Sequence, residues 1–293
     1  MLKRILTVIV CGLFLLPFIP SQSFSQGDKI VQLALSTIKS QMRLPKEAEI
    51  QFVEKKESPI QDFYSVKFIV MTSAWEIPLI VYVDKAGERI ITGNLFVKGE
   101  NVTRKEAGEP RSRKIDLGKL EIEKSPYRGS PEAKVTLVEF SNFECPYCLN
   151  SWGKTEEILG KHSSEIKYIF KHFPFQNKGR TFELSEIAAA AQAIGNEAFW
   201  LVHDFLFSPE GQILVPQGKE AVKEKAEQLL KEKGFDMKGF HGALDNGRAR
   251  KRVEEDMALG NRYQVSGTPT VFINGEMHQG PLTEQALDRY LKR

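Results

Sequence analysis

The chain has 293 residues, with 41 lysines and arginines against 38 aspartates and glutamates, so its formal net charge is +3. This balanced charge argues against nucleic acid or an anionic membrane surface as the main partner. The length exceeds that of one average domain, so we expect two domains.

The first 25 residues have the layout of a secretory signal peptide. Two basic residues precede an apolar run at residues 5–19, and the small residues Ser23 and Ser25 stand just before a plausible cleavage point. The run is shorter than the roughly 20 residues that a membrane-spanning helix needs. We therefore expect export to the periplasm or another cell-envelope compartment, with an uncleaved membrane anchor as the alternative.

Cleavage after residue 25 changes both the charge and the cysteine content. It removes two basic residues and no acidic one, so the formal net charge falls from +3 to +1. It also removes Cys11 and leaves Cys145 and Cys148. A disulfide between these two closes a very small loop, and stabilisation grows with loop length. A purely structural disulfide is therefore a weak interpretation.

Residues 26–103 predict a small α+β domain. A helix is expected over residues 28–42, because apolar residues recur on one side and Asp28 is a suitable N-cap. The alternating pattern of FYSVKFIVM predicts a half-buried strand. The segment LIVYVDKAGERIITGNLFV predicts two strands joined by a turn through residues 84–87.

Residues 104–126 are predicted to be a linker, because the segment is highly charged and is broken by glycine and proline. Within it, KLEIE is a candidate for the first short strand of the next domain.

Residues 127–293 alternate strand and helix patterns. KVTLVEF predicts a buried strand that runs into ECPYC, and a helix is expected from Pro146 through Gly160. IKYIFKHFPF predicts a second buried strand, and residues 177–262 carry only helical patterns. TPTVFING then predicts a strand and turn, and LTEQALDRYLKR a closing helix. This order implies an α/β core with a helical insertion.

The segment ECPYC places Cys145 at the start of a helix. Unpaired backbone N–H groups and the helix macrodipole favour a thiolate at that position. Cys148, one turn later, is within reach of a mixed disulfide formed at Cys145. Pro146 suits the first helical turn, where its missing N–H is not needed. The spacing therefore predicts a working redox pair.

Two other uses of the chain remain open. The first is a metal-binding or metal-handling module that uses the two thiolates. Closed zinc sites draw four ligands from cysteine and histidine, and the sequence has no second C-x-x-C and no histidine pair at H-x₃₋₅-H spacing. We expect no metal and no other bound cofactor. The second is a chaperone-like binding protein whose N-terminal domain carries the function.

Three segments carry a family resemblance: RGSPEAKVTLVEFSNFECPYC, IKYIFKHFPF and VSGTPTVFINGE. Together they resemble the DsbA-like thioredoxin-fold thiol:disulfide oxidoreductases of the bacterial cell envelope, over residues 115–293. The resemblance implies a thioredoxin fold with a helical insertion, preceded here by the small α+β domain. It implies that Cys145 is the exposed nucleophile and Cys148 the buried resolving cysteine.

The resemblance also assigns a substrate-binding loop. Gly267, Thr268 and Pro269 match the loop in which a cis-proline faces the active-site disulfide and helps to dock the substrate backbone. Pro146 and Tyr147, between the cysteines, belong to the same substrate-binding surface. From the residues alone, Gly267-Thr268-Pro269 is an ordinary turn.

Glu139, six positions before Cys145, matches a buried acid of the family. It shares one face of KVTLVEF with Val135 and Leu137, and both faces of that strand are apolar or small, as in a central strand. A carboxylate in such a place would have a raised pKa and could relay a proton to or from Cys148. The alternative is a glutamate on a solvated strand.

Two features bear on the direction of exchange. Tyr147 stands where well-known oxidases of the family carry histidine, so we expect a less oxidising protein. Residues 28–103 resemble the dimerisation domain of the periplasmic disulfide isomerases, of the DsbC and DsbG kind. We therefore expect a homodimer through the N-terminal domain. Its partners would be exported proteins with cysteines and a membrane redox protein that reoxidises or reduces it.

Overall fold

The computed structural model describes residues 28–292, so the expected signal peptide at residues 1–25 lies outside the described residues. The elements of the N-terminal part are α1 (Lys29–Gln41), β1 (Glu49–Glu57), β2 (Phe63–Met71), β3 (Trp75–Asp84), β4 (Ile90–Thr92), β5 (Phe96–Val97), β6 (Glu100–Asn101), α2 (Val102–Ala107) and β7 (Arg111–Ser112).

The elements of the C-terminal part follow two 3₁₀ turns, at Leu117–Leu120 and Ile122–Lys124. They are β8 (Tyr127–Gly129), β9 (Val135–Ser141), α3 (Pro146–Lys161), β10 (Ile166–His172), α4 (Arg180–Gln192), α5 (Asn196–Leu206), α6 (Pro209–Leu214), α7 (Lys219–Glu232), α8 (Met237–Asp245), α9 (Arg248–Arg262), β11 (Thr270–Ile273), β12 (Glu276–Met277) and α10 (Glu284–Leu291).

The first sheet is antiparallel, with strand order β1-β2-β3-β4 and β7 paired to β3. Asp28 is the N-cap of helix α1, and its carboxylate accepts from two backbone N–H groups of the first turn. The helix buries Val31, Ala34 and Ile38 against the apolar face of β2 and β3. This spacing is the amphipathic period that predicted the helix.

The segment between the sheets is packed against both of them. Ile115 and Leu120 are buried, and the Ile115 N–H donates to the Gly275 carbonyl at 2.8 Å. The strand expected at KLEIE is wrong, since these residues form the two 3₁₀ turns. The Asp116 side chain caps the first turn by accepting from the Gly118 N–H, which closes the chain on itself and prevents an extended conformation.

The second sheet has strand order β12-β11-β9-β10-β8. Strands β9 and β10 are parallel, and β11 runs antiparallel to β9. All seven residues of β9 are buried, as its apolar pattern on both faces predicts. Helices α4 to α9 lie between β10 and β11 in the chain, which is the predicted helical insertion.

A turn of the first sheet contacts the second part of the molecule. Ala74, between β2 and β3, is fully buried in an apolar cluster that includes Tyr263 and Val265. The Thr72 hydroxyl donates to the Gln264 side chain across this contact. In the part of the chain that the structure describes, no helix is both long and apolar enough to cross a bilayer.

Candidate active site

Cys145 and Cys148, the predicted redox pair, lie where β9 passes into α3. Cys145 is the N-cap of α3 and Pro146 occupies its first turn. The turn before them is held by Asn142: its carbonyl accepts from the Cys145 N–H at 3.1 Å, and its side-chain oxygen accepts from the Glu144 N–H at 3.1 Å. The Thr181 hydroxyl of α4 donates to the same oxygen at 2.9 Å. The helical insertion thus fixes the entry to the motif.

Both cysteines are free thiols in the structure and both are buried. Cys145 is 3% exposed and Cys148 is not exposed at all. The expectation of an exposed Cys145 is therefore wrong for this structure. The reason is that its thiol lies under the loop before β11, where it donates to the Thr268 carbonyl at 3.2 Å. Tyr147 marks the open side of the motif and is 76% exposed.

The loop that covers Cys145 is the Gly267-Thr268-Pro269 segment of the sequence prediction. Its Thr268–Pro269 peptide bond is cis. The Thr270 hydroxyl donates to the Gly267 carbonyl at 2.7 Å and closes the loop on itself. The structure therefore brings this loop and the N-terminus of α3 together, although 123 residues separate Cys145 from Thr268.

Glu139 lies in the central strand β9 and is 3% exposed. It pairs in register with Phe170 of β10 and Val271 of β11, so neither edge of its strand is open to solvent. Burial raises the pKa of its carboxyl to about 7, and the hydroxyls of Ser141 and Tyr168 oppose this rise. The carboxyl therefore changes charge near neutral pH.

The negative charge of the Glu139 carboxylate disfavours the thiolate form of Cys148. The pKa of Cys148 is raised to about 12, first by burial and then by the negative charge of Glu139. Hydroxyls of Ser141 and Thr268 act in the opposite direction. Two acidic groups in one apolar site cannot both ionise cheaply. A proton leaving one of them is best taken up by the other.

Sequence reasoning missed Ser141 and Tyr168. Alternation within β10 places Tyr168 on one face together with Phe170 and His172, and this much was visible in IKYIFKHF. Which face lies over Glu139 depends on the pairing of β9 with β10, where Tyr168 stands opposite Leu137. No local pattern encodes that register.

Two buried histidines, His172 at the end of β10 and His203 within α5, lie in the same part of the molecule. Burial lowers the pKa of His172 and of His203 to about 4. The His203 ring packs edge-on to Trp152 with ring centres 4.5 Å apart, and its Nδ1 is 3.0 Å from Asp204. Within residues 28–292, no group of three or more His, Cys, Asp or Glu side chains is placed to hold a metal ion.

The family model described as Thioredoxin (Thioredoxin_4) matches residues 121–293, more than half of the chain. The chain belongs to this family. The predicted α/β thioredoxin fold with a helical insertion, and with it the recognition of a DsbA-like fold, is confirmed.

Curated relatives match more than half of the chain. The Na(+)/H(+) antiporter NhaA 3 of Salinispora tropica is 33% identical over 160 residues, which are 55% of this chain and 23% of the antiporter. NhaA 1 of Salinispora arenicola is 35% identical over 162 residues, again 55% of this chain and 23% of the relative. The chain thus spans about a quarter of the length of the curated relatives it matches.

Three solved structures have a similar chain path. Oxidised BdbD from Bacillus subtilis has a TM-score of 0.49 at 20% identity, covering 59% of this chain and 95% of that one. The thiol-disulfide exchange protein alpha-DsbA2 from Wolbachia pipientis has a TM-score of 0.49 at 18% identity, covering 60% and 90%. The catalytic domain of ScsC from Proteus mirabilis has a TM-score of 0.46 at 19% identity, covering 58% and 88%.

Proposed function

We propose that the protein is an exported thiol:disulfide oxidoreductase that exchanges disulfides with other exported proteins through Cys145 and Cys148. One observation carries the proposal: Cys145 caps the N-terminus of α3 with Cys148 one turn further on. The exposed Tyr147 between them leaves this end of the helix open to a partner. No bound cofactor is needed, because the two sulfurs carry the electrons.

The reaction begins with the Cys145 thiolate. It attacks one sulfur of a client disulfide, forms a mixed disulfide and expels the other client sulfur as a thiolate. Free N–H groups in the first turn of α3 favour the anionic sulfur before the attack. The Thr268 carbonyl, which accepts from the thiol at 3.2 Å, must give up this contact as the thiolate forms.

Resolution requires the buried thiol to lose its proton. We propose that Glu139 accepts this proton. Its carboxyl is buried close enough to Cys148 for its charge to act on the thiol, and burial raises the pKa of the carboxyl to about 7. The Cys148 thiolate then attacks the Cys145 sulfur, and the client leaves as a thiolate. When the protein oxidises a client, the same steps run in reverse, and Glu139 returns the proton to Cys148.

The client backbone would dock at the Gly267-Thr268-Pro269 loop. The loop faces the nucleophile, as the contact between Cys145 and the Thr268 carbonyl indicates. Pro146 and the 76% exposed Tyr147 form the opposite wall, and an exposed tyrosine suits an unfolded, partly apolar client.

The direction of exchange depends on assembly. We propose a homodimer held by the domain at residues 26–103, joined through residues 104–126 to the catalytic domain at residues 127–293. Ile91, Phe96 and Val97, at the β4 edge and in the β5–β6 hairpin, are exposed apolar side chains that pairing would cover. Two nucleophiles around one client suit reshuffling of wrong disulfides, whereas a monomer suits plain oxidation.

The remaining elements of the proposal follow from export. The segment at residues 1–25 would direct the chain to the periplasm, where cysteine-containing proteins form disulfides. A membrane redox protein would then reset the Cys145–Cys148 pair by oxidation or reduction.

Substitution of the two cysteines tests the core of this proposal. We expect Cys145→Ser to abolish insulin reduction, because the attacking thiol is lost and the remaining Cys148 thiol is buried with a raised pKa, and Cys148→Ser to accumulate mixed disulfides, because none can be resolved. Equal alkylation rates of the two thiols at pH 6 in the reduced protein would contradict the assignment. Tight zinc binding by the reduced protein would favour the metal-handling alternative, and aggregation suppression by a cysteine-free variant the chaperone-like one.

Light scattering tests the assembly. We expect the mature chain to be a dimer and Phe96→Lys to shift it toward monomer and to weaken refolding of a scrambled disulfide substrate. Ile213→Lys is the matched control, because Ile213 is a similarly exposed apolar residue in the helical insertion, 69% against 62% exposed for Phe96. A monomeric parent, or a Phe96 variant with unchanged mass and reshuffling, would overturn the dimer.

A further inference from the structure

A cavity of about 540 Å³ lies where the first sheet meets the C-terminal part of the molecule. Its lining comes from the α1–β1 and β2–β3 connections, from residues 113–119 and from the end of α9. The volume is within the range of small-molecule sites, about 300–1,000 Å³. None of the lining residues belongs to the C-P-Y-C motif or to the surface proposed for dimerisation. The cavity is therefore separate from both.

Six charged side chains line this basic cavity, four cations and two carboxylates: Arg113, Lys114, Lys119, Arg262, Glu47 and Asp116. Four positive and two negative groups give the lining a formal charge of +2, whereas the whole chain carries only +3. None of the six forms an ion pair with any residue that the structure describes. A concave site of net positive charge concentrates anions.

Hydrogen bonds hold the walls of the basic cavity in place. The Arg113 guanidinium donates to the Thr72 carbonyl at 2.6 Å, and the Arg113 backbone N–H donates to the Ala74 carbonyl at 2.8 Å. The Ser73 hydroxyl donates to the carbonyl of Arg262, the last residue of α9. The cavity is therefore formed before a ligand arrives, which reduces the entropic cost of binding.

Tyr263 adds a neutral donor to the charged lining. Its ring is buried, and its hydroxyl has no hydrogen-bond partner within residues 28–292. Burial raises the pKa of Tyr263 above the ordinary 10.0, so the hydroxyl keeps its proton at neutral pH and can donate it to a ligand oxygen. Ile115 is the apolar residue of the lining. Several cationic donors, one phenol and little apolar surface suit a ligand with more than one anionic group.

We propose that the basic cavity binds a small organic polyanion that carries two or more phosphate or carboxylate groups. Arginine recognises both groups with its planar fork of donors, and lysine does so as a point charge. A nucleic-acid backbone fits this lining poorly, because it needs a continuous cationic groove and Glu47 and Asp116 interrupt the basic residues. The bound anion would contact both parts of the molecule and hold them together.

Isothermal titration calorimetry of the mature chain with pyrophosphate and with citrate tests the site. We expect one binding site per chain for at least one of the two probes. Acetate, which has a single carboxylate, should show no saturable binding at the same ionic strength. Tighter binding of pyrophosphate would identify phosphate as the recognised group, and tighter binding of citrate would identify carboxylate.

Arg262→Gln and Lys119→Gln each remove one cation from the cavity. Neither side chain makes a hydrogen bond or ion pair in the described part of the chain, so we expect both variants to unfold at the temperature of the parent. Each should weaken binding of the probe by about tenfold, the usual contribution of a hydrogen bond to a charged group. Arg262→Lys, which keeps the charge, should weaken it less.

Arg248→Gln and Lys233→Gln are the matched controls. Arg248 is the first residue of the helix that Arg262 ends, and both control side chains are exposed and unpaired in the described chain. We expect them to leave the affinity within twofold of the parent. Equal weakening by control and cavity variants, or no saturable binding of either probe, would overturn the site. Binding to phosphatidylglycerol vesicles without binding of the free anions would also overturn it and assign this surface to a membrane.

Discussion

The two sheets each contain a buried carboxylate, and the two carboxylates have opposite pKa shifts. Asp84, at the end of β3, and Glu139, within β9, are 2% and 3% exposed. Asp84 accepts hydrogen bonds from the backbone N–H groups of Glu88 and Arg89 and from the Arg89 guanidinium. These donors lower its pKa to about 2, whereas burial raises that of Glu139 to about 7. Asp84 lies at a turn just below the surface and Glu139 in the centre of a sheet, so the supply of donors and the depth of burial together decide which carboxylate is charged.

The opposite pKa shifts distinguish Asp84, a carboxylate with a structural role, from Glu139, a carboxylate with a proposed chemical role. In the first sheet Asp84 closes the turn to β4 and keeps its charge under all ordinary conditions. In the second sheet burial opposes ionisation of Glu139, and the only contacts that favour its charge are those with two hydroxyls. A strongly perturbed group beside a second titratable group is characteristic of functional sites. The C-terminal part of the molecule also contains buried polar or charged residues with no such turn-closing role: Lys171 and His172 on β10, His203 on α5 and Asp256 on α9.

The largest effect that should separate the two regions is acid sensitivity. His172 and His203 have pKa values lowered from 6.5 to about 4, so the folded state binds fewer protons than the unfolded state between these values. Their stabilising contribution is present above pH 6.5 and is lost as the pH falls toward 4. We expect a loss of about 3 kcal/mol for each histidine over this range.

Chemical denaturation at pH 7 and pH 4.5 measures this loss. His203→Phe should flatten the pH dependence, because the aromatic cage around the ring accepts an uncharged side chain of similar size. His278→Gln, at a partly exposed histidine, is the control. Equal acid sensitivity in parent and His203→Phe would show that the buried histidine does not govern acid stability.

The second effect is a stabilising substitution at the proposed active site. Because the pKa of Glu139 is raised from 4.5 to about 7, its ionisation in the folded state reduces stability as the pH rises through this window. Glu139→Gln removes that cost, so we expect it to raise the free energy of unfolding by about 3 kcal/mol at pH 8. The gain should vanish at pH 4, where the carboxyl is protonated in both states. A variant less stable than the parent at pH 8 would contradict the assigned environment.

Much of this arrangement could be predicted from the sequence, and the successes share a physical origin. Helices α1 and α3 and strands β2 and β9 follow from periodicity and caps within short segments. Strand β1 was missed, because a register shift between Phe52 and Glu54 interrupts its alternation and its second half, EKKE, is entirely charged. The sequence shows the polar character of such an edge strand but not its partner.

The same limit applies to the candidate site. The Cys145–Cys148 spacing is local, so the sequence alone predicted the pair and its place at a helix start. The interaction of Tyr168 with Glu139 depends on the pairing of β9 with β10, which no short segment determines. The burial of Cys145 under Thr268 depends on a loop more than a hundred residues away. Long-range register and loop closure are therefore the parts that sequence reasoning could not supply.

The smallest effect concerns the other carboxylate and should have the opposite sign. The pKa of Asp84 is lowered from 3.8 to about 2, so its stabilising contribution is present above pH 3.8 and is lost as the pH falls toward 2. We expect Asp84→Asn to lower the free energy of unfolding at pH 8, by less than Glu139→Gln raises it. The Arg89 partner is 71% exposed, and solvent screens that ion pair.

Asp84→Asn and Glu139→Gln form a direct test when each is introduced separately into the parent and the free energies of unfolding are compared at pH 8. Asn keeps the size of the side chain and one acceptor oxygen. At pH 8 the difference in the free energy of unfolding between the parent and Asp84→Asn therefore reports the loss of the negative charge that faces three donors. The difference should shrink below pH 3, where the parent carboxyl also becomes protonated. If Asp84→Asn stabilised the protein at pH 8 as Glu139→Gln is expected to, hydrogen-bond donors would not be what distinguishes the two sites, and burial alone would have to account for both.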